Sequence, residues 1–228
     1  MLLSTADLTA LFFFIAMWAI HGLAVAGVIG NRVSLSTAMN VQREAWMRTM
    51  ARRELRMIDT SIMLGLQQGT AFFGSSALIA IGGCFALIGS SDRVLNVLGD
   101  LPLSAAANRP VFEIKVMGLI LILAYSFFKF GWSYRLFNYC SILIGAVPTH
   151  KDEHEHAGET EKAVQRAARM NVLAGKHFNA GLRGIFFSIG YLGWFIGPIV
   201  FALTTLFIFA VLLRRQFFSE ARKAVLNV

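Results

Sequence analysis

The chain has 228 residues, of which 56% are apolar and 15% charged, against about 25% charged in an ordinary soluble domain. That shortfall excludes a typical soluble enzyme. The formal charge of +8 would suit a nucleic-acid partner, but Lys and Arg also gather in the cytoplasmic loops of membrane proteins. The distribution described next favours that cause, and no nucleic-acid partner is expected.

Four apolar stretches, 8–30, 61–89, 114–134 and 185–213, reach the length of about 20 residues that crosses a bilayer as a helix. Lys115 and Lys129 are the only charged residues inside them. The pattern predicts an all-α integral membrane protein: a single membrane domain, 1–228, with four transmembrane helices and cytoplasmic loops 31–60 and 135–184. The expected location is the cell membrane, multi-pass, of the bacterial inner-membrane kind. The two inner loops hold thirteen basic residues against six in the other loop and the ends, which places both termini outside. Arg214, Arg215, Arg222 and Lys223 fit that side poorly, and a broken fourth helix would reverse the C-terminal end.

The first span has no Lys or Arg before Asp7 and reads as an uncleaved helix rather than a secretory signal. Residues 34–58 lack Pro and Gly, Met39, Trp46, Met50 and Met57 align on one side, and Arg48, Arg52 and Arg56 form a second stripe. This predicts an amphipathic cytoplasmic helix between the first two spans. It would either lie on the membrane with its arginines among anionic lipid headgroups or pack on its neighbours. In span two, Gly65 and Gly69 are spaced for close helix contact, as are Gly193 and Gly197 in span four. Pro198 should kink the last helix or break it. The outer loop, 90–112, with Asp92, Gly99, Pro102 and Pro110, is expected to be irregular. Cys84 and Cys140 fall near opposite membrane faces, too far apart for a disulfide.

The second inner loop opens with Pro148 and then His150, Lys151, Asp152, Glu153, His154, Glu155 and His156, a solvated linker without rigid metal-ligand spacing. A short helix follows between Glu159 and Lys176. Polar side chains inside a membrane are costly and mark candidate sites. Counting along the spans puts His21, Gln67, Gln68, Lys129 and Tyr191 in the inner half of the bilayer, a candidate polar layer or pore lining. At the inner mouth, Asp59 is expected to pair with Arg183, Arg56 or Lys129, beside Arg135. With no Asp or Glu in a predicted span, no phosphate-binding loop and one intramembrane His, the expectation is no enzyme, no cofactor and no metal.

Arg43 with Trp46 and Met47, then Arg56, Asp59, Phe73 to Ser76, Tyr134 to Tyr139, Gly181 to Phe187, and Trp194, Phe195, Gly197 and Pro198 together resemble a family of bacterial and plant membrane proteins, domain of unknown function 599. The resemblance spans nearly the whole chain and implies four membrane helices; it carries no activity. The function expected from the residues is a homo-oligomeric channel or transporter for a small ion or solute, leaning to anions. The alternative is a non-transporting scaffold, a lipid-binding protein or an accessory subunit of a membrane complex.

Overall fold

The first helix, α1 (Thr5–Val25), starts with a reciprocal cap. Ser4 Oγ accepts from the Asp7 amide and the Asp7 carboxylate accepts from the Ser4 amide, so two donors that a helix start leaves free are satisfied. The helix stops short of residue 30 because Gly27 and Gly30 turn the chain at φ of 77° and 88°, a region cheap only for glycine. There follow α2 (Leu35–Ala51), α3 (Met57–Gly89), α4 (Ser91–Gly99), α5 (Arg109–Gly145) and α6 (Glu153–Tyr191), then a 3-10 turn over Leu192–Phe195, α7 (Pro198–Phe217) and α8 (Glu220–Leu226). This computed structural model describes residues 3–99, 109–148 and 153–226, and the side chains of all of these but 97–99 and 153–157. All regular structure among the described residues is helical. Four segments, α1, α3, α5 and Pro198–Leu226, are long and apolar enough to cross a membrane, as suits a multi-pass membrane protein.

Residues 185–213, read from the sequence as one span, form two helices folded back on each other. Gly197 is extended and Pro198 takes the first turn of α7, where its missing amide costs nothing. Beyond the turn, Gly193 faces Val200 and Thr204, and Gly190 faces Thr204 and Ile208, so α7 runs antiparallel to the end of α6. Thr204 Oγ1 donates to the Gly190 carbonyl at 2.7 Å. A Cβ on Gly193 would stand 3.0 Å from the Val200 carbonyl oxygen; only small residues allow backbones this close. The glycine and proline therefore make a hairpin, not a kink.

The distal half of α6 also runs antiparallel to α5. Cys140 Sγ reaches the Ala167 carbonyl, Ser133 Oγ donates to that of Ala174 at 2.8 Å, Phe130 covers Gly181, and the Tyr191 hydroxyl donates to the Lys115 carbonyl at 3.0 Å. One end of the bundle thus holds Asp7, Lys115 and Trp194. At the other, the Ser36 amide donates to Gln216 Oε1 at 3.1 Å and Arg222 Nε to the Val33 carbonyl at 2.8 Å. Residues 4 and 222 consequently lie at opposite ends, against the expectation of both termini together. The turn at Gly197 is the reason, and it brings Arg214, Arg215, Arg222 and Lys223 to the end that carries the arginines of α2, hereafter the basic end.

Other boundaries differ for local reasons. α5 continues past residue 134 to Gly145, and α6 occupies most of what reads as the second loop. Within 90–112, α4 forms because Asp92 sits in its first turn and Val94 and Leu95 pack on the core. α2 ends at Ala51, so Met57 belongs to α3 and is exposed, while Met47 and Met50 are fully buried. Arg56 also leaves the expected stripe. Its guanidinium donates to the Val147 and Pro148 carbonyls at 2.7 Å, closing the exposed carbonyl end of α5. Gly65 and Gly69 have no atom within 4 Å of where a Cβ would stand; the close packing falls to Gly181, Gly184, Gly190 and Gly193 instead. Cys84 and Cys140 are buried and free. The side chains of His150 to His156 lie outside those described.

Candidate functional site

The core is divided. One cluster, Phe14, Val116, Phe187, Tyr191, Trp194 and Phe201, fills the bundle from its middle to the Asp7 end, and the other, Met47, Met50, Met63, Phe137, Cys140 and Ala167, binds α2 and α6 to α3 and α5 at the basic end. α3 packs along α5, α1 along α7. Between these units the basic end holds a cavity of about 450 Å³. α1 contributes His21 and Val25, α2 Ser36, Met39, Asn40 and Arg43, α3 Gly65, Gly69 and Thr70, and α6 and α7 supply Phe178, Arg183, Arg215 and Gln216. α2 is held over it by Ser34, whose hydroxyl accepts from the Thr37 amide and donates to the Val25 carbonyl, and by Gln216.

Three guanidiniums face this space. Arg43 donates to Asn171 Oδ1 and lies over the Phe137 ring, 5.9 Å from its centroid. Burial lowers its pKa below the ordinary arginine range, and an arginine stays charged nonetheless. Arg215 lies over Phe186 at 5.2 Å. The Arg183 guanidinium is pressed against Gly22, where a Cβ would be 3.6 Å from its Cζ, and its buried Nε has no hydrogen-bond partner. His21 is 4% exposed. Neither of its ring nitrogens is hydrogen-bonded; one leans toward the Leu212 backbone without reaching hydrogen-bond geometry. No Asp or Glu is among the lining residues. Three cations thus line a space that no carboxylate borders, beside a buried imidazole whose nitrogens have no hydrogen-bond partner.

The residues singled out in sequence do not converge. His21 reaches the cavity; with α1 ending at Val25 it lies about 6 Å from the helix end. Gln67 Nε2 donates to Ser141 Oγ at 3.1 Å between α3 and α5, and Gln68 is exposed. Lys129 lies over the Tyr125 ring at 5.3 Å. Tyr191 is at the far end, stacked edge-on against Phe14 and Trp194. Arg183 enters the cavity rather than meeting Asp59, and Arg135 donates to the Tyr139 hydroxyl at 2.6 Å on the surface.

Asp59 is fully buried and charge-paired, but with Arg53 at 2.6 Å and with Trp46 Nε1 at 2.7 Å. The chain folds back directly after α2, which gives the nearby Arg53 the place expected for Arg56, Arg183 or Lys129. Lys115 is legible in the sequence only as a charge inside an expected span. It is 7% exposed, donates to the Trp194 carbonyl at 2.8 Å and lies 3.9 Å from the Asp7 carboxylate, which itself accepts from Trp194 Nε1 at 2.6 Å. The available signal was that Asp7 and Lys115 both fall at the outer ends of expected spans.

Neither a curated protein nor a solved structure matches this chain. A family model does, over residues 9–221, which takes in α1 through the start of α8 and thus both the cavity and the hairpin. The chain belongs to the family described as Protein of unknown function, DUF599.

Proposed function

We propose that this membrane protein binds an anionic ligand in the cavity at its basic end, and that this end faces the cytoplasm. The observation that carries the reading is the meeting of Arg43, Arg183 and Arg215 around one space that no carboxylate lines. Orientation rests on the arginine-rich end: with α7 returning to it, every basic cluster lies on one side, as cytoplasmic faces favour. The distal half of α6 then makes a fifth crossing. One chain completes the site, so oligomerisation is not required for binding.

Isothermal titration of the purified protein with inorganic phosphate and sulfate tests this. Saturable binding is expected, weakened about tenfold or more in Arg183→Met and Arg215→Met, since a charge-assisted hydrogen bond contributes about 1.5–3 kcal/mol. Absence of saturable binding by phosphate, sulfate and carboxylates overturns the proposal.

Transport is the second reading, favoured by the depth of the cavity. It reaches His21 of α1, beyond which the core cluster that includes Phe14, Val116, Phe187, Tyr191, Trp194 and Phe201 fills the bundle toward the other end. Anion flux in proteoliposomes, abolished by Arg183→Met, would move the protein from binder to transporter.

A further inference from the structure

The cavity is far larger than an inorganic anion needs. At about 450 Å³ it falls in the range of about 300–1,000 Å³ that encloses whole organic molecules. Its chemistry is also two-sided. His21, Arg183, Arg215 and Gln216 supply polar groups from α1, α6 and α7, whereas Leu66, Phe178, Leu182 and Phe186 are apolar. On the α3 side, Gly65 and Gly69 border space that holds no atom within 4 Å of their Cβ positions. An anion alone would leave that region empty beside apolar walls. A molecule with an anionic head and a hydrocarbon tail would occupy both.

Depth agrees with this. The arginines lie at the basic end of membrane-length helices, the level of lipid headgroups, and basic pockets between such helices on the cytoplasmic side suit anionic lipid heads. His21, 4% exposed with both nitrogens unpartnered, lines the same cavity as Arg183 and Arg215. Building on the anion-binding reading, we propose that the ligand is an anionic phospholipid, its phosphate held by Arg183, Arg215 and His21 and one acyl chain lying along Gly65 and Gly69.

The test compares lipid with free phosphate on the purified full-length protein. Native mass spectrometry would measure retention of phosphatidylglycerol, phosphatidic acid and phosphatidylcholine, and titration would measure inorganic phosphate. Gly69→Leu places a side chain in the open space; Gly65→Leu does the same one turn away and serves if the first variant is unstable. The expected result is preference for the anionic lipids over phosphatidylcholine, and in the glycine variants at least a tenfold loss of that binding with a far smaller loss of affinity for inorganic phosphate. Arg183→Met should weaken both ligands. If phosphate binds but the glycine variants retain lipid fully, or phosphatidylcholine is held equally well, the lipid assignment fails and the anion site stands. If neither phosphate nor anionic lipid binds, both readings fail.

Discussion

Replacing glycine by alanine should have opposite effects at two positions that sequence alone treats alike. Gly82 of α3 is exposed and has no atom within 4 Å of a built Cβ. Gly82→Ala should therefore gain the helix-propensity difference of about 0.8–1.0 kcal/mol. At Gly181 of α6 the new methyl would stand 2.7 Å from Phe130 Cε1 and 2.9 Å from its Cδ1 and Cζ, against a carbon–carbon optimum of about 3.5–4.0 Å. The ring would have to retreat by up to about 1 Å. It is 1% exposed and held by Phe73 and Phe178 at centroid distances of 5.6 and 5.7 Å, so the retreat is resisted. Overpacking of this kind costs about 1–3 kcal/mol; less the propensity gain, Gly181→Ala should lose up to about 2 kcal/mol. The propensity gain is common to both variants, so they should differ by the overpacking cost, about 1–3 kcal/mol. For a chain this long, 1 kcal/mol corresponds to about 2–4 °C in Tm, so thermal unfolding in one detergent should separate them by about 2–12 °C. Equal melting temperatures, or a more stable Gly181→Ala, would refute the assigned α5–α6 packing.

Lys115→Met removes the donor to the Trp194 carbonyl and should cost about 1.5–3 kcal/mol, the usual range for a hydrogen bond to a charged group; a double-mutant cycle with Asp7→Asn in a thermal assay should return a coupling of about 1 kcal/mol, and zero coupling would show the 3.9 Å pair to be incidental. Trp46→Phe takes one of two donors from the fully buried Asp59 and should destabilise by a similar amount, whereas Asp59→Ala should cost about 3–5 kcal/mol by breaking a pair on its buried side; unfolding midpoints check both, and no loss in Asp59→Ala would remove that carboxylate from the basic end. Single cysteines at Glu44 and Ala224, introduced without Cys84 and Cys140, should label from the same side of intact cells, with Ser4→Cys labelling from the other. Shared labelling of residues 4 and 224 would contradict the hairpin at Gly197.

Composition and apolar run length made the helices of α1, α3 and α5 legible, because a membrane-length apolar helix needs little else to be recognised. The end of the chain was harder. Pro198 signals a discontinuity but not its angle; whether the chain bends or reverses depends on Gly190 and Gly193 finding Thr204 and Val200, contacts invisible until both helices exist. α6 escaped for a related reason. Its long first half is alanine-rich and charged, and only its pairing with α5 joins that half to the apolar run from Gly181. At the candidate site, His21 was visible as a lone imidazole in an apolar helix. Arg43, Arg183 and Arg215 were not visible as a group, since each reads as an ordinary basic residue beside a span and they meet through three different helices.

The hairpin has a consequence for synthesis. α6 is not among the helices apolar enough to cross a membrane by themselves, whereas the segment after Pro198 is. If the distal half of α6 crosses, it cannot be committed when it leaves the ribosome; it must wait, against the already inserted α5, until α7 follows and draws the pair in together. A chain halted before Pro198 would then expose the seam of Gly190 and Gly193 with nothing to close it, a substrate for membrane quality control rather than a shortened version of the protein.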